Sequence, residues 1–115
     1  MSYLKAKKLT ELLISKSMTI AVAESCTGGS LSSSLTSIPG ASSYFNCGFI
    51  TYSNESKINM LNVNPQSIVL FGAVSEKVAN EMAMGAGQNS KSNLAISVTG
   101  IAGPSGGTPE KPVGM

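Results

Sequence analysis

The segment Ala23-Glu24-Ser25-Cys26-Thr27-Gly28-Gly29 places a carboxylate, two hydroxyls and a thiol directly after the apolar run Met18-Thr19-Ile20-Ala21-Val22. A strand that ends this way and turns into a helix exposes Ser25 on a tight turn. It also aims unpaired backbone N–H groups at a bound group. The chain contains no His, Asp or Arg, so hydrolytic chemistry must come from Ser, Cys, Thr, Tyr, Lys and Glu. Ser25 is the candidate nucleophile, and a serine hydroxyl needs a neighbouring base. A lysine serves if burial or neighbouring positive charge lowers its pKa. Lys57 is the best placed. It opens a helix after the second strand, where the positive helix end also disfavours an ammonium. Tyr52, at the end of that strand, is positioned to hydrogen-bond Lys57 or to relay its proton. The N–H groups of Cys26 to Gly29 are candidate oxyanion donors.

Each of these residues also has a plainer role. Ser25 equally suits an N-cap, Lys57 a solvated helix start, and Tyr52 a half-buried strand position. Cys26 is a rival nucleophile, because a helix N-terminus lowers a thiol pKa. Its side chain is expected to point away from Ser25, as a buried structural thiol. Glu24 suits a substrate hydrogen bond, a lysine partner or an ordinary strand end. The Gly-rich run Thr99 to Thr108, with Gly100, Gly103, Ser105 and Gly106, can present consecutive N–H groups and hydroxyls to an anion such as phosphate. It carries neither a Walker A pattern nor GxGxxG.

These groups need elements to position them. The chain has 115 residues, 42% hydrophobic and 12% charged, with formal net charge +2. That suits a single domain, residues 1–115, with a buried core. The charge is too small and dispersed to argue for nucleic acid, and Lys5, Lys7 and Lys8 read as a solvated helix face. Cys26 and Cys47 show no CxxC or zinc spacing. Without His, a transition-metal site lacks its usual ligands, so no metal or cofactor is expected. Neither a signal peptide nor a bilayer-spanning run is present, which predicts a cytoplasmic protein with no membrane partner.

The pattern predicts an amphipathic helix over 3–16 with Leu9, Leu12 and Leu13 on one face, and a strand over 18–23. A short helix over 27–37 ends at Pro39-Gly40, and a second strand covers 44–52. Helices follow at Ser53-Asn54, Pro65 and Ser75, the last with Val78, Met82 and Ala86 in register. Residues 94–98 form a third strand, and Thr99 to Gly114 a long loop or tail. This alternation implies an α/β sandwich with a mixed sheet. Ligands collect at the carboxyl ends of such strands, where both Gly-rich segments lie.

Several segments in order resemble the C-terminal domain family of the competence/damage-inducible protein CinA. Its stand-alone members are nicotinamide-nucleotide amidases of the PncC type. The resemblance rests on Ala23 to Gly29, Ile38 to Phe45, Tyr52-Ser53-Asn54-Glu55-Ser56-Lys57, Gly72 to Glu76, Val98 to Pro104 and Gly106 to Gly114. It implies a three-layer α/β/α sandwich and a metal-independent amidohydrolase acting on nicotinamide mononucleotide. Ser25 would be the nucleophile, Lys57 its base and Tyr52 an assistant. Cys26, Thr27, Gly28 and Gly29, with the Thr99–Gly107 loop, would hold the nucleotide. The family's domain continues past Pro112-Val113-Gly114 into further strands and a basic C-terminal helix. Without them, the resemblance implies an open sheet edge, self-association as a homo-oligomer, and loss of an arginine that helps hold the phosphate. A catalytically silent nucleotide-binding or assembly module is the alternative it leaves open.

Overall fold

The computed structural model describes residues 1–115. Its centre is β1 (Ile20–Glu24), in which every residue is buried. β2 (Phe45–Ile50) and β3 (Leu94–Val98) flank it, and both pair with it in parallel, giving the order β2-β1-β3. The expected α/β class holds. The sheet, expected to be mixed, consists of these three parallel strands. Each connection between them is a helical crossover, so no tight hairpin supplies an antiparallel neighbour.

Alternation along β1 sends its side chains to two different layers. Ile20 and Val22 pack with Ala6 and Leu13 of α1 (Tyr3–Ser15), Leu35 of α2 (Ser30–Thr36), Ile38 and Tyr44. Ala21 and Ala23 pack with Leu61 of α3 (Asn54–Leu61), Val63, and Val78, Met82 and Ala86 of α5 (Glu76–Ser90). Alanines on this second face let α5 lie close to the sheet. Gly85 brings α5 equally close to α3: a β-carbon there would stand 1.8 Å from the Leu61 carbonyl oxygen. α4 (Pro65–Phe71) begins at a proline that needs no N–H partner and is capped by the Asn64 side chain.

The elements fall close to their expected bounds, with three differences. α1 buries Ala6, Thr10 and Leu13, whereas Leu12 is exposed. α2 starts at Ser30 instead of residue 27, because Cys26–Gly29 form a turn. A short 3-10 turn, Ala41–Ser43, precedes β2. No helix is long and apolar enough to cross a membrane.

Because β2 and β3 lie on opposite sides of β1, the connections from β1 and from β2 lead to opposite sides of the sheet and the strand order switches beside β1. The carboxyl ends of β1 and β3 therefore border the crevice where α/β sheets place ligands. Beyond β3, Thr99–Met115 has no helix or strand, yet it folds back on itself. Ile101 N–H donates to the Met115 carbonyl at 2.9 Å, and Gly114 N–H to the Ile101 carbonyl at 2.7 Å.

Candidate active site

Ser25 follows β1 directly and continues its alternation, on the same face as Ala21 and Ala23. Its N–H is pinned to the Val98 carbonyl at 3.0 Å, which fixes the start of the turn against β3. Lys57 lies in the first turn of α3, which Ser53 caps by accepting from Ser56 N–H. α3 covers the same face, so the two side chains meet. Lys57 Nζ lies 3.0 Å from Ser25 Oγ, and it donates to the carbonyls of Thr51 at 2.8 Å and Tyr52 at 3.3 Å.

Lys57 is 1% exposed and takes no part in an ion pair. Burial disfavours its ammonium and lowers its pKa below the usual 10.5, while the nearby Cys26 sulfur acts weakly in the opposite sense. A neutral amine has two protons and one lone pair. With the two carbonyls accepting both protons, the lone pair is left for the Ser25 hydroxyl. The arrangement can therefore take a proton from Ser25 Oγ.

The pair opens into a cavity of about 260 Å³. Of the residues singled out from the sequence, Ser25, Cys26, Tyr52, Lys57, Thr99, Gly100, Gly103 and Ser105 line it. Tyr52 does so differently from expectation. Its contact with Lys57 is the backbone carbonyl, and the side chain is 69% exposed. Cys26, expected to point away as a buried thiol, is half-buried on the same wall as Ser25 and lies against Gly100. Thr27, Gly28, Gly29 and Gly106 do not line the cavity.

Glu24 explains most of that difference. It is fully buried on the α2 side of the sheet, and its carboxylate occupies the start of α2. Oε1 accepts from Thr27 Oγ1 at 2.7 Å and Leu31 N–H at 2.9 Å. Oε2 accepts from Ser32 N–H at 2.9 Å and Ser32 Oγ at 2.6 Å. Burial pushes the Glu24 pKa up, but the hydrogen bonds from Ser32, Thr27 and Leu31 together outweigh it and hold it below 4.5. The anion that the α2 N-terminus attracts is the chain's own. Gly28 N–H is spent on the Ser25 carbonyl at 3.0 Å.

The free donors lie elsewhere. The N–H groups of Cys26, Gly100, Ala102 and Gly103 join no backbone pairing, and these residues line the cavity. Sequence reasoning missed Asn54, Ala73 and Val74 as lining residues, while Ile101 and Ala102 fall within the loop expected to hold the nucleotide. Ser53 and Asn54 both suit a helix cap by residue type, but Ser53 does the capping and Asn54 lies at the cavity. Ala73 and Val74 lie in one of the segments that carry the resemblance, and their position beside the site depends on how α4 joins α5. The chain has no cluster of three or more His, Cys or Glu side chains that could hold a metal ion.

The CinA C-terminal domain family model matches residues 3–115. The chain belongs to this family. Among its relatives, a CinA-like protein of Chlorobaculum tepidum is 55% identical over 106 residues, 92% of this chain and 25% of that protein. The solved structure of the competence/damage inducible protein CihA from Agrobacterium tumefaciens superposes with a TM-score of 0.95 at 44% identity, over 97% of this chain and 68% of that one. A CinA superfamily protein from Escherichia coli gives 0.91 at 38% identity, over 95% of this chain and 63% of that one. The chain thus spans about a quarter of the relatives named CinA-like or competence-damage inducible, and about two thirds of the solved CinA-superfamily chains.

Proposed function

We propose that this CinA-family domain is a serine amidohydrolase that deamidates nicotinamide mononucleotide to nicotinic acid mononucleotide and ammonia. The observation that carries the reading is the 3.0 Å contact between Ser25 Oγ and a buried, unpaired Lys57 Nζ at the edge of a cavity. Burial without a counter-ion shifts this lysine toward the deprotonated form that a general base needs.

In this mechanism Ser25 Oγ attacks the carboxamide carbon and its proton passes to Lys57 Nζ. The resulting oxyanion is met by free N–H groups on the cavity wall, with Cys26 N–H adjacent to the nucleophile. Lys57 then protonates the departing nitrogen. The C–N bond breaks, ammonia leaves and an ester links Ser25 to the acyl group. Water attacks that ester with Lys57 again accepting a proton, the carboxylate departs and Ser25 regains its hydrogen. The Thr99–Ser105 wall supplies N–H groups and hydroxyls for the phosphate. Tyr52 stands at the mouth and contributes its carbonyl to the orientation of Lys57.

The test is ammonia release from nicotinamide mononucleotide by the 115-residue chain, with Ser25→Ala as control. Release that disappears in the variant supports the reading. A folded chain that binds the nucleotide, seen as thermal stabilisation, yet releases no ammonia would overturn it in favour of a silent binding module.

A further inference from the structure

The cavity wall formed by Thr99–Ser105 has no helix or strand to hold it, and its glycines make it pliable. Its outer side is covered by the last residues of the chain. A β-carbon on Gly103 would fall 2.5 Å from Val113 Cγ1, and one on Gly107 would fall 2.7 Å from the Val113 nitrogen. A β-carbon on Gly100 would likewise press on the Met115 carbonyl. The segment 108–115 is therefore a brace pressed against the wall.

The brace is in turn fastened at Lys111. Its backbone is fixed by Thr108, which donates N–H to the Lys111 carbonyl at 2.8 Å and accepts the Lys111 N–H at its hydroxyl at 3.0 Å. The Lys111 ammonium crosses to the body of the domain and donates to the Phe71 carbonyl at 2.5 Å, at the C-terminal end of α4. Two residues further on, Ala73 and Val74 form part of the opposite cavity lining. Ala73 also accepts a hydrogen bond from the Thr99 hydroxyl at 3.0 Å. Thr99 thus fastens the start of the wall to the α4–α5 connection, and Lys111 fastens the brace behind the wall to the adjoining end of α4.

We propose that Lys111 is a positioning residue for the candidate site: it sets the distance between the glycine-rich wall and the Ser25–Lys57 pair, and through it the fit of the bound nucleotide. The kinetic part of this inference rests on the amidase reading; the structural part does not. Lys111 touches neither Ser25 nor Lys57, so its removal should loosen binding without altering the nucleophile or its base.

Two readouts separate these parts. In a Cys47→Ser background, Cys26 reports on the wall, because its sulfur would stand 3.2 Å from a β-carbon on Gly100. Iodoacetamide should alkylate Cys26 severalfold faster in Lys111→Met and at nearly the parent rate in Lys111→Arg. With nicotinamide mononucleotide as substrate, Lys111→Met should raise KM roughly tenfold, with a much smaller change in kcat and an unmoved pH profile of kcat. Lys111→Gln, which keeps an N–H donor, should fall between and replaces Lys111→Met if that variant does not fold. Unchanged Cys26 reactivity in the methionine and glutamine variants would overturn the proposal. So would a loss confined to kcat. If the parent chain releases no ammonia at all, the amidase reading fails, and alkylation alone decides the role of Lys111.

Discussion

Glu24 and Lys57 are both buried ionisable groups without an ion-pair partner, yet their surroundings shift them in opposite senses, Glu24 toward its charged form and Lys57 toward its neutral one. They lie on opposite faces of one sheet, Glu24 against α2 and Lys57 on the sheet-facing side of α3. Burial pushes each toward neutrality. Glu24 receives four hydrogen bonds from N–H and hydroxyl donors, so it stays ionised with a depressed pKa. Lys57 meets two carbonyls and one hydroxyl, which also accommodate an uncharged amine, and burial prevails. A buried group is held in its charged form where its hydrogen bonds outweigh the cost of burial and is shifted toward neutrality where they do not. Glu24 serves the fold, and Lys57, once neutral, has a lone pair for chemistry.

The sharpest way to break this contrast is Lys57→Met. Loss of the base should lower amidase kcat by at least ~10³-fold. Stability at neutral pH should change by less than about 2 kcal/mol, since a buried amine and its few hydrogen bonds are replaced by an apolar chain of similar length. The parent's kcat should rise with pH through the depressed Lys57 pKa. Its stability should rise over the interval from that value to 10.5, because there the unfolded chain still binds a proton that the folded chain does not. Titrated thermal unfolding of Lys57→Met should lack that rise; its persistence would mean another group is responsible.

Glu24→Gln should reverse the pattern. The amide group presents a donor to N–H groups that need acceptors, so unfolding should show a loss of about 3 kcal/mol. Glu24's contribution is present above its unfolded pKa and is lost as pH falls through the lower folded one, so the variant should be less sensitive to acid. The next effect in size is Gly85→Ala. The added methyl would press α5 on the Leu61 carbonyl, which ends α3, and unfolding should register a loss of roughly 2 kcal/mol. A displaced α3 carries Lys57 with it, so kcat should fall while the acid-side response set by Glu24 stays unchanged.

Which of these features could be read from the sequence follows the same division. The bounds of β3, the buried β1, Ser25 at its end and Lys57 near the start of the helix after β2 were legible, because hydrophobic runs and cap residues report local structure. The fate of the α2 N-terminus was not. Its N–H groups looked available for a ligand, but Glu24 sits one residue before Ser25 and alternation turns it toward them. The Thr27 hydroxyl and the Gly28 N–H are spent in that turn, and the free donors on the cavity wall are those of Cys26, Gly100, Ala102 and Gly103. The position of Cys26 was equally hidden. Beyond the last strand residue alternation no longer applies, and only the packing of Gly100 shows where the sulfur lies. Ala73 and Val74 reach the cavity through the α4–α5 connection, which has no periodic signature at all.

The smallest expected effect concerns Tyr52, where residue type and geometry diverge. A phenol five residues before a lysine suggests a proton relay, but β2 ends at Ile50 and the Tyr52 side chain turns outward. What reaches Lys57 is the Tyr52 carbonyl, which any residue supplies. Tyr52→Phe should therefore lower kcat by less than about tenfold, far short of the loss in Lys57→Met, with any larger change appearing in KM at the cavity mouth. A kcat loss comparable to that of Lys57→Met would return the phenol to the proton path. It would also show that the carbonyls of Thr51 and Tyr52 do not by themselves orient the amine.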